Sequence, residues 1–225
     1  MLAKRLVPCL PIAPGPNSKW EGLAEDLAKR ALGLEDDGAD EILLVLQGDL
    51  HALTGWALQA VRSVVRAVSV TVLAQGGSST AEFAALIEAG VDKVVVPFCR
   101  PGLVQLAAAR WGAQTIVGHL DGSPESGAVA DAMQAARDGA GELVTSSGSD
   151  SNGPDIQAIR AVSDAVPVPV IAGGPIAKLE HVRLALLEGK ADGVLLPMEL
   201  VDAAHGMSEV KRYLAAAGIV VRGVS

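Results

Sequence analysis

The chain has 225 residues, a net charge of -8 and an isoelectric point near 5.0, so neither nucleic acid nor an anionic membrane is expected as a partner, since both want a basic face. Half of its residues are hydrophobic but only 3% are aromatic, which suits helices rich in Ala, Val and Leu packed on a buried parallel sheet. This length holds one large core, and a single domain over 1–225 is the expectation.

Eight β-type runs follow one another along the chain. They are expected at 4–11 (KRLVPCLP), 41–47 (EILLVLQ), 68–74 (VSVTVLA), 93–98 (KVVVPF), 115–120 (TIVGHL), 142–147 (ELVTSS), 168–173 (VPVIAG) and 192–197 (DGVLLP). Between them lie segments such as GLAEDLAKRALGLEDD, ALTGWALQAVRSVVRAV and AKLEHVRLALLEG. Their apolar residues recur at i, i+3, i+4 and i+7, the pattern of helices with one buried face. Strand then helix, eight times, is the economy of an α/β fold of the (β/α)8 TIM-barrel type. A doubly wound open sheet is the alternative, and eight regular units favour closure.

No apolar run reaches the roughly 20 residues that span a bilayer, and the start has no signal-peptide pattern, so the expected location is the cytoplasm. Cys9 and Cys99 sit in apolar contexts without metal-ligand spacing, and buried free thiols are expected. No metal site and no cofactor are expected.

An internal repeat runs through the chain. GADEILLVL at 38, GVDKVVVPF at 90 and GAGELVTSS at 139 share a helix-ending Gly, a polar pair and a strand, with KADGVLLP at 190 as a weaker fourth copy. The period is about 50 residues, or every second strand–helix unit.

Barrel sites are built where strands end, and polar capacity there concentrates after the fifth and sixth strands. Asp121 follows His119 by two residues, so both lie on one side of their strand, and Asp121 is a candidate general acid or base. A plain DGSP turn is the competing account. Asp150 either orients a substrate hydroxyl or forms an Asx turn. The pairs Gly76–Gly77 and Gly173–Gly174 precede helices whose N–H groups can hold a phosphate, or else serve as tight turns. At the opposite end Arg5, Glu41, Lys93 and Glu142 begin the first, second, fourth and sixth strands. They form either an inward charged ring or four solvated strand starts, and pattern alone slightly favours the second.

The opening MLAKRLVPCL, then GVDKVVV, WGAQTIVGHLD, GAGELVTSS, PVIAGG-x-x-AKLEH and VKRYLAAAGIVVR, resemble in order the cyclase subunit of imidazole glycerol phosphate synthase, the (β/α)8 barrel of histidine biosynthesis. The resemblance implies a lyase that receives ammonia from a glutaminase partner docked at its lower end and joins it to a small phosphorylated metabolite. It implies that Arg5, Glu41, Lys93 and Glu142 are the ammonia gate, which overrides the preference for solvated starts, and that Asp92 lies at the partner interface. It also implies catalytic roles for Asp121, Asp150 and Lys19, and substrate or phosphate contacts at Gly76, Thr145, Ser146, Gly173 and Gly174. The chain departs from the family at the upper end. Pro11 replaces a catalytic Asp, Leu46 another Asp, Pro97–Phe98 an Asn-Thr pair and Pro197–Met198 an Ala-Ser pair. The expectation is a diverged homologue without ordinary cyclase activity. The alternative is a non-catalytic partner of a glutaminase or of a true cyclase.

Overall fold

The structure is a computed structural model, and it describes residues 3–13, 20–47, 55–100, 102–122, 127–147 and 153–223. Strand β1 (Arg5–Ile12) leads to α1 (Trp20–Asp36), β2 (Glu41–Leu46), α2 (Gly55–Ala67), β3 (Thr71–Gln75) and α3 (Thr80–Glu88). Then come β4 (Lys93–Pro97), α4 (Leu103–Trp111), β5 (Ile116–Gly122), α5 (Ala128–Arg137), β6 (Glu142–Ser147) and α6 (Ile156–Ala165). The order ends with β7 (Val170–Gly173), α7 (Leu179–Leu187), β8 (Gly193–Pro197), α8 (Met198–Ala203) and α9 (Met207–Ala216).

The eight strands are parallel and close in chain order, with β8 paired to β1 from Arg5↔Gly193 to Cys9↔Pro197. Successive strand residues point to opposite sides of the sheet, and two cores result. Val7, Leu43, Leu73, Val95, Val117, Val144 and Ile171 fill the barrel, with Cys9, Val45 and Leu195 against them. Their neighbours Leu6, Ile42, Val72, Val94, Ile116 and Leu143 pack outward under the helices. Among the described residues no helix is long and apolar enough to cross a membrane.

The expected strands differ from the observed ones where local chemistry intervenes. β3 starts at Thr71 because Val68 still donates its N–H to Val64 O at the end of α2. β7 starts at Val170 because Pro167 and Pro169 have no N–H for the ladder, although the Pro169 carbonyl accepts from Leu143. Helix α8 follows β8 without a connecting loop and is additional to the helices expected. Cys99 is exposed in the turn beyond β4 and is not the buried thiol expected, while Cys9 is partly buried inside the barrel.

The repeat has a physical meaning. Its first residue takes a left-handed conformation that reverses the chain, at φ +99° for Gly38, +105° for Gly90 and +99° for Gly139. The fourth copy places Lys190 there at φ +57°. The second residue is buried in each copy, as Ala39, Val91, Ala140 and Ala191. At the third position Asp40, Asp92 and Asp192 accept the N–H of Leu6, Val72 and Val170 at 2.9, 2.8 and 3.0 Å. Each aspartate therefore ties the start of an even strand to the odd strand before it. In the third copy a Cβ at Gly141 would lie 2.3 Å from Ala113 O, so no aspartate fits. The fourth position supplies the inward residues Glu41, Lys93, Glu142 and Gly193.

Asp40 also pairs with Lys211 of α9 at 3.0 Å, with both side chains 4% exposed. The same ammonium donates to Arg222 O at 2.6 Å and so fastens the tail beneath the barrel. Breaking a buried pair leaves an uncompensated charge, so Asp40→Ala is expected to cost about 3–5 kcal/mol. Asp92→Ala, at an exposed position, is expected to cost only about 1 kcal/mol. Urea unfolding of the two variants measures the difference, and equal losses would contradict this division of roles.

Candidate functional site

At the lower end of the barrel the fourth residues of the repeat converge on Arg5. Arg5 reaches the axis because its neighbour on β8 is Gly193, where a Cβ would stand 3.0 Å from Arg5 O and 3.2 Å from Arg5 Cβ. Arg5 Nη1 donates to Glu41 Oε1 and to Glu142 Oε1, each at 2.9 Å. Lys93 Nζ donates to Glu142 Oε1 at 2.8 Å and lies 3.8 Å from Glu41 Oε1. The four side chains are 9–17% exposed, so the ring faces inward. Burial alone would lower the Arg5 pKa, but the two carboxylates outweigh it and hold the guanidinium above its ordinary value. Arg5 Nη2, Glu41 Oε2 and Glu142 Oε2 are buried and have no hydrogen-bond partner in the protein. One orphan donor thus stands among two orphan acceptors.

The apolar layer from Val7 to Ile171 separates this ring from the upper end. Above it, β5 and β6 contribute the polar pair His119 and Ser146, with Nε2 and Oγ 3.0 Å apart. Burial lowers the His119 pKa, and the nearby Asp121 carboxylate offsets this in part. A cavity of about 160 Å³ beside the ring is lined by Val45, Gln75, Gly76, Pro97 and His119. A second, of about 250 Å³, is lined by Cys9, Pro11, Gln47, Pro197 and Glu199. The Cys9 thiol is pushed up to about 12 by burial and by the Glu199 carboxylate, which keeps it protonated and unreactive as a nucleophile.

Residues 9–203, well over half of the chain, match the family described as Histidine biosynthesis protein. The chain belongs to that family.

Within this histidine-biosynthesis barrel the residues named from the sequence fall into separate groups. Arg5, Glu41, Lys93 and Glu142 come together as one ring at the lower end. Asp92 lies at the same end, exposed, with its carboxylate engaged by the Val72 N–H. At the upper end Asp121 is exposed and has no side-chain partner among the described residues. Lys19 and Asp150 lie outside the described residues. Thr145 requires correction as a substrate contact. It is buried and paired in register with Leu120 and Ala172 of the outer core, and alternation turns it toward the helices and Ser146 into the mouth. Gly173 lies beside Ser146, and a Cβ there would stand 2.9 Å from Ser146 Oγ, so the glycine keeps the hydroxyl open.

The glycine pairs are less suited to phosphate than their spacing implies. A Cβ at Gly76 would meet Leu46 Cβ at 2.8 Å, so close packing alone explains that glycine. Beyond it Ser78 N–H and Ser79 Oγ both donate to Glu82 Oε2 at 2.8 Å, so the carboxylate of α3 occupies the N-terminus of its own helix. The sequence S-x-x-E at 79–82 carried that signal. Gly174 is exposed and lines a cleft that also holds Pro175, Pro197 and Glu199. Gly193 was legible only as the odd member of the weak fourth repeat.

Because the native state holds His119 with a lowered pKa, the unfolded chain binds the proton more tightly. This contribution to stability is fully present above the unfolded value and is lost as pH falls through the folded one. Thermal unfolding between about pH 7 and 5 should therefore show a steeper loss of stability for the native chain than for His119→Gln. Identical slopes would show that the ring is not buried in its neutral form.

Proposed function

We propose that this chain is a diverged relative of the imidazole glycerol phosphate synthase cyclase subunit that accepts ammonia from a glutaminase docked at the lower end of its barrel. The observation that carries this reading is the inward ring of Arg5, Glu41, Lys93 and Glu142 with its orphan donor and two orphan acceptors. Leaving such groups buried and unpaired is costly. Ammonia has three N–H groups to give and one lone pair to receive with, so it can satisfy both carboxylates and the guanidinium at once. The aliphatic layer above the ring then admits the neutral molecule and strongly disfavours ammonium.

Ordinary cyclase chemistry is not part of the proposal. Cyclisation and ring cleavage need an acid and a base acting together, and Pro11 offers no proton-transfer group opposite Asp121. The apolar side chains at Pro97 and Pro197 also favour a second reading, in which the barrel binds and regulates a glutaminase without chemistry of its own.

The test is co-purification with a glutaminase followed by measurement of glutamate release. Complex formation should raise glutamine hydrolysis by at least about fivefold, the lower end of coupling between distant sites. Glu142→Ala, which removes the carboxylate hydrogen-bonded to both cations, should uncouple ammonia delivery while glutamine is still consumed. Stimulated hydrolysis with no ammonia reaching the upper end would select the regulatory reading. Absence of both binding and stimulation would sink the two together.

A further inference from the structure

We propose that His119, anchored by Ser146, is the residue of the barrel mouth that hydrogen-bonds the substrate and exchanges a proton with it, and that this substrate is small, uncharged and free of phosphate. The inference rests on the proposed function for the arrival of ammonia, and it names the class of molecule that would meet the ammonia at the other end of the barrel.

The geometry of the pair carries the first half. Ser146 Oγ holds one ring nitrogen at 3.0 Å, which fixes the plane of the imidazole. The other nitrogen has no partner among the described residues and is not among the buried atoms. His119 lines the cavity formed by β2, β3 and β4, so a ligand there reaches the ring. With Nε2–H donating to Ser146, Nδ1 keeps a lone pair and can take a proton from a substrate N–H or O–H and return it. The groups packed on the ring from β4 and β6 are Val95, Pro97, Val144 and Ser146, none of them charged. Asp121 on its own strand is the one nearby anion affecting it. A neutral, partly shielded imidazole supplies the mouth with a proton-transfer group that Pro11 cannot.

The second half follows from what surrounds that cavity. Phosphate binding needs free N–H groups or cations. At the start of α3 the Ser78 N–H is taken by the Glu82 carboxylate and the Glu82 N–H by Ser79 Oγ. Beyond β4 the Phe98 N–H donates to His119 O at 2.9 Å. Beyond β7 the Ala177 N–H is directed to the His181 ring at 3.3 Å. Beyond β8 the cleft is lined by Pro197 and the Glu199 carboxylate. The described cations at this end, Arg100 and Lys178, are exposed, and Arg100 donates to Ser78 O. Among the described residues the uncharged polar side chains of the mouth are Gln47, Gln75, Ser146 and His119, which recognise neutral hydrogen-bonding groups.

A matched pair of probes tests this on the full chain without any glutaminase, so its outcome is independent of the partner assay. The probes are 5-aminoimidazole-4-carboxamide riboside and its 5′-monophosphate, followed by NMR of histidine-labelled protein. The riboside should shift the resonances that vanish in His119→Gln, and the monophosphate should bind at least about tenfold more weakly. Ser146→Ala and His119→Gln should each weaken riboside binding about tenfold, the loss of one buried hydrogen bond, while amide spectra confirm the fold. Riboside affinity should decline as pH falls through the His119 midpoint, and His119→Gln should abolish that dependence. Equal or tighter binding of the monophosphate would overturn the phosphate-free class. Riboside binding that leaves His119 unmoved, or no binding of either probe, would overturn the assignment.

Discussion

A single guanidinium nitrogen, Arg5 Nη1, stands 2.9 Å from carboxylates on β2 and β6, and Lys93 closes the fourth side. Charges buried to this degree are tolerated only while they remain paired, because each one alone would demand several kcal/mol of lost hydration. The geometry of the lower barrel is therefore constrained by this group. The even strands must deliver their first residues to one height, β8 must yield space at Gly193, and β1 must present its first residue inward. The aspartates at the third repeat position help to fix that height by tying β2, β4 and β8 to their predecessors. The Lys211–Asp40 pair then anchors α9 to one of those ties.

The two ends of the barrel solve opposite problems. Below, charge is concentrated, mutually compensated and shielded, so the inner surface is polar without being open. Above, the described strand ends carry Pro11, Pro97 and Pro197 and mostly uncharged residues, with Asp121 and Glu199 as the carboxylates. The buried aliphatic layer between them keeps the two electrostatic environments apart. A molecule passing from one to the other must shed charge to do so.

Much of the fold was legible because a buried parallel barrel enforces periodicity on the chain. All eight strands announced themselves as short apolar runs, and the glycines of the 50-residue repeat marked the joints. The charged ring was legible as residues but not as an arrangement, since strand starts in solvent carry the same letters. What distinguishes the two is Gly193, whose meaning depends on its neighbour across the β8–β1 seam and on no nearby sequence. The mouth was harder still. Thr145 and Ser146 are adjacent hydroxyl residues, and only the register of β6 shows which one turns inward. His119 and Ser146 lie 27 positions apart and meet through strand pairing. Glu82 over the start of its own helix was legible as the last letter of S-x-x-E at 79–82.

The prolines at the upper rim have an effect beyond the side chains they displace. Each replaces a backbone N–H with a ring carbon while keeping its carbonyl, so Pro11, Pro97 and Pro197 each subtract a donor and leave the acceptor in place. Three such prolines on β1, β4 and β8 leave the described strand ends with three fewer main-chain donors than acceptors. The main chain itself, before any side chain is considered, thus tilts this opening toward guests that arrive bearing hydrogens to give.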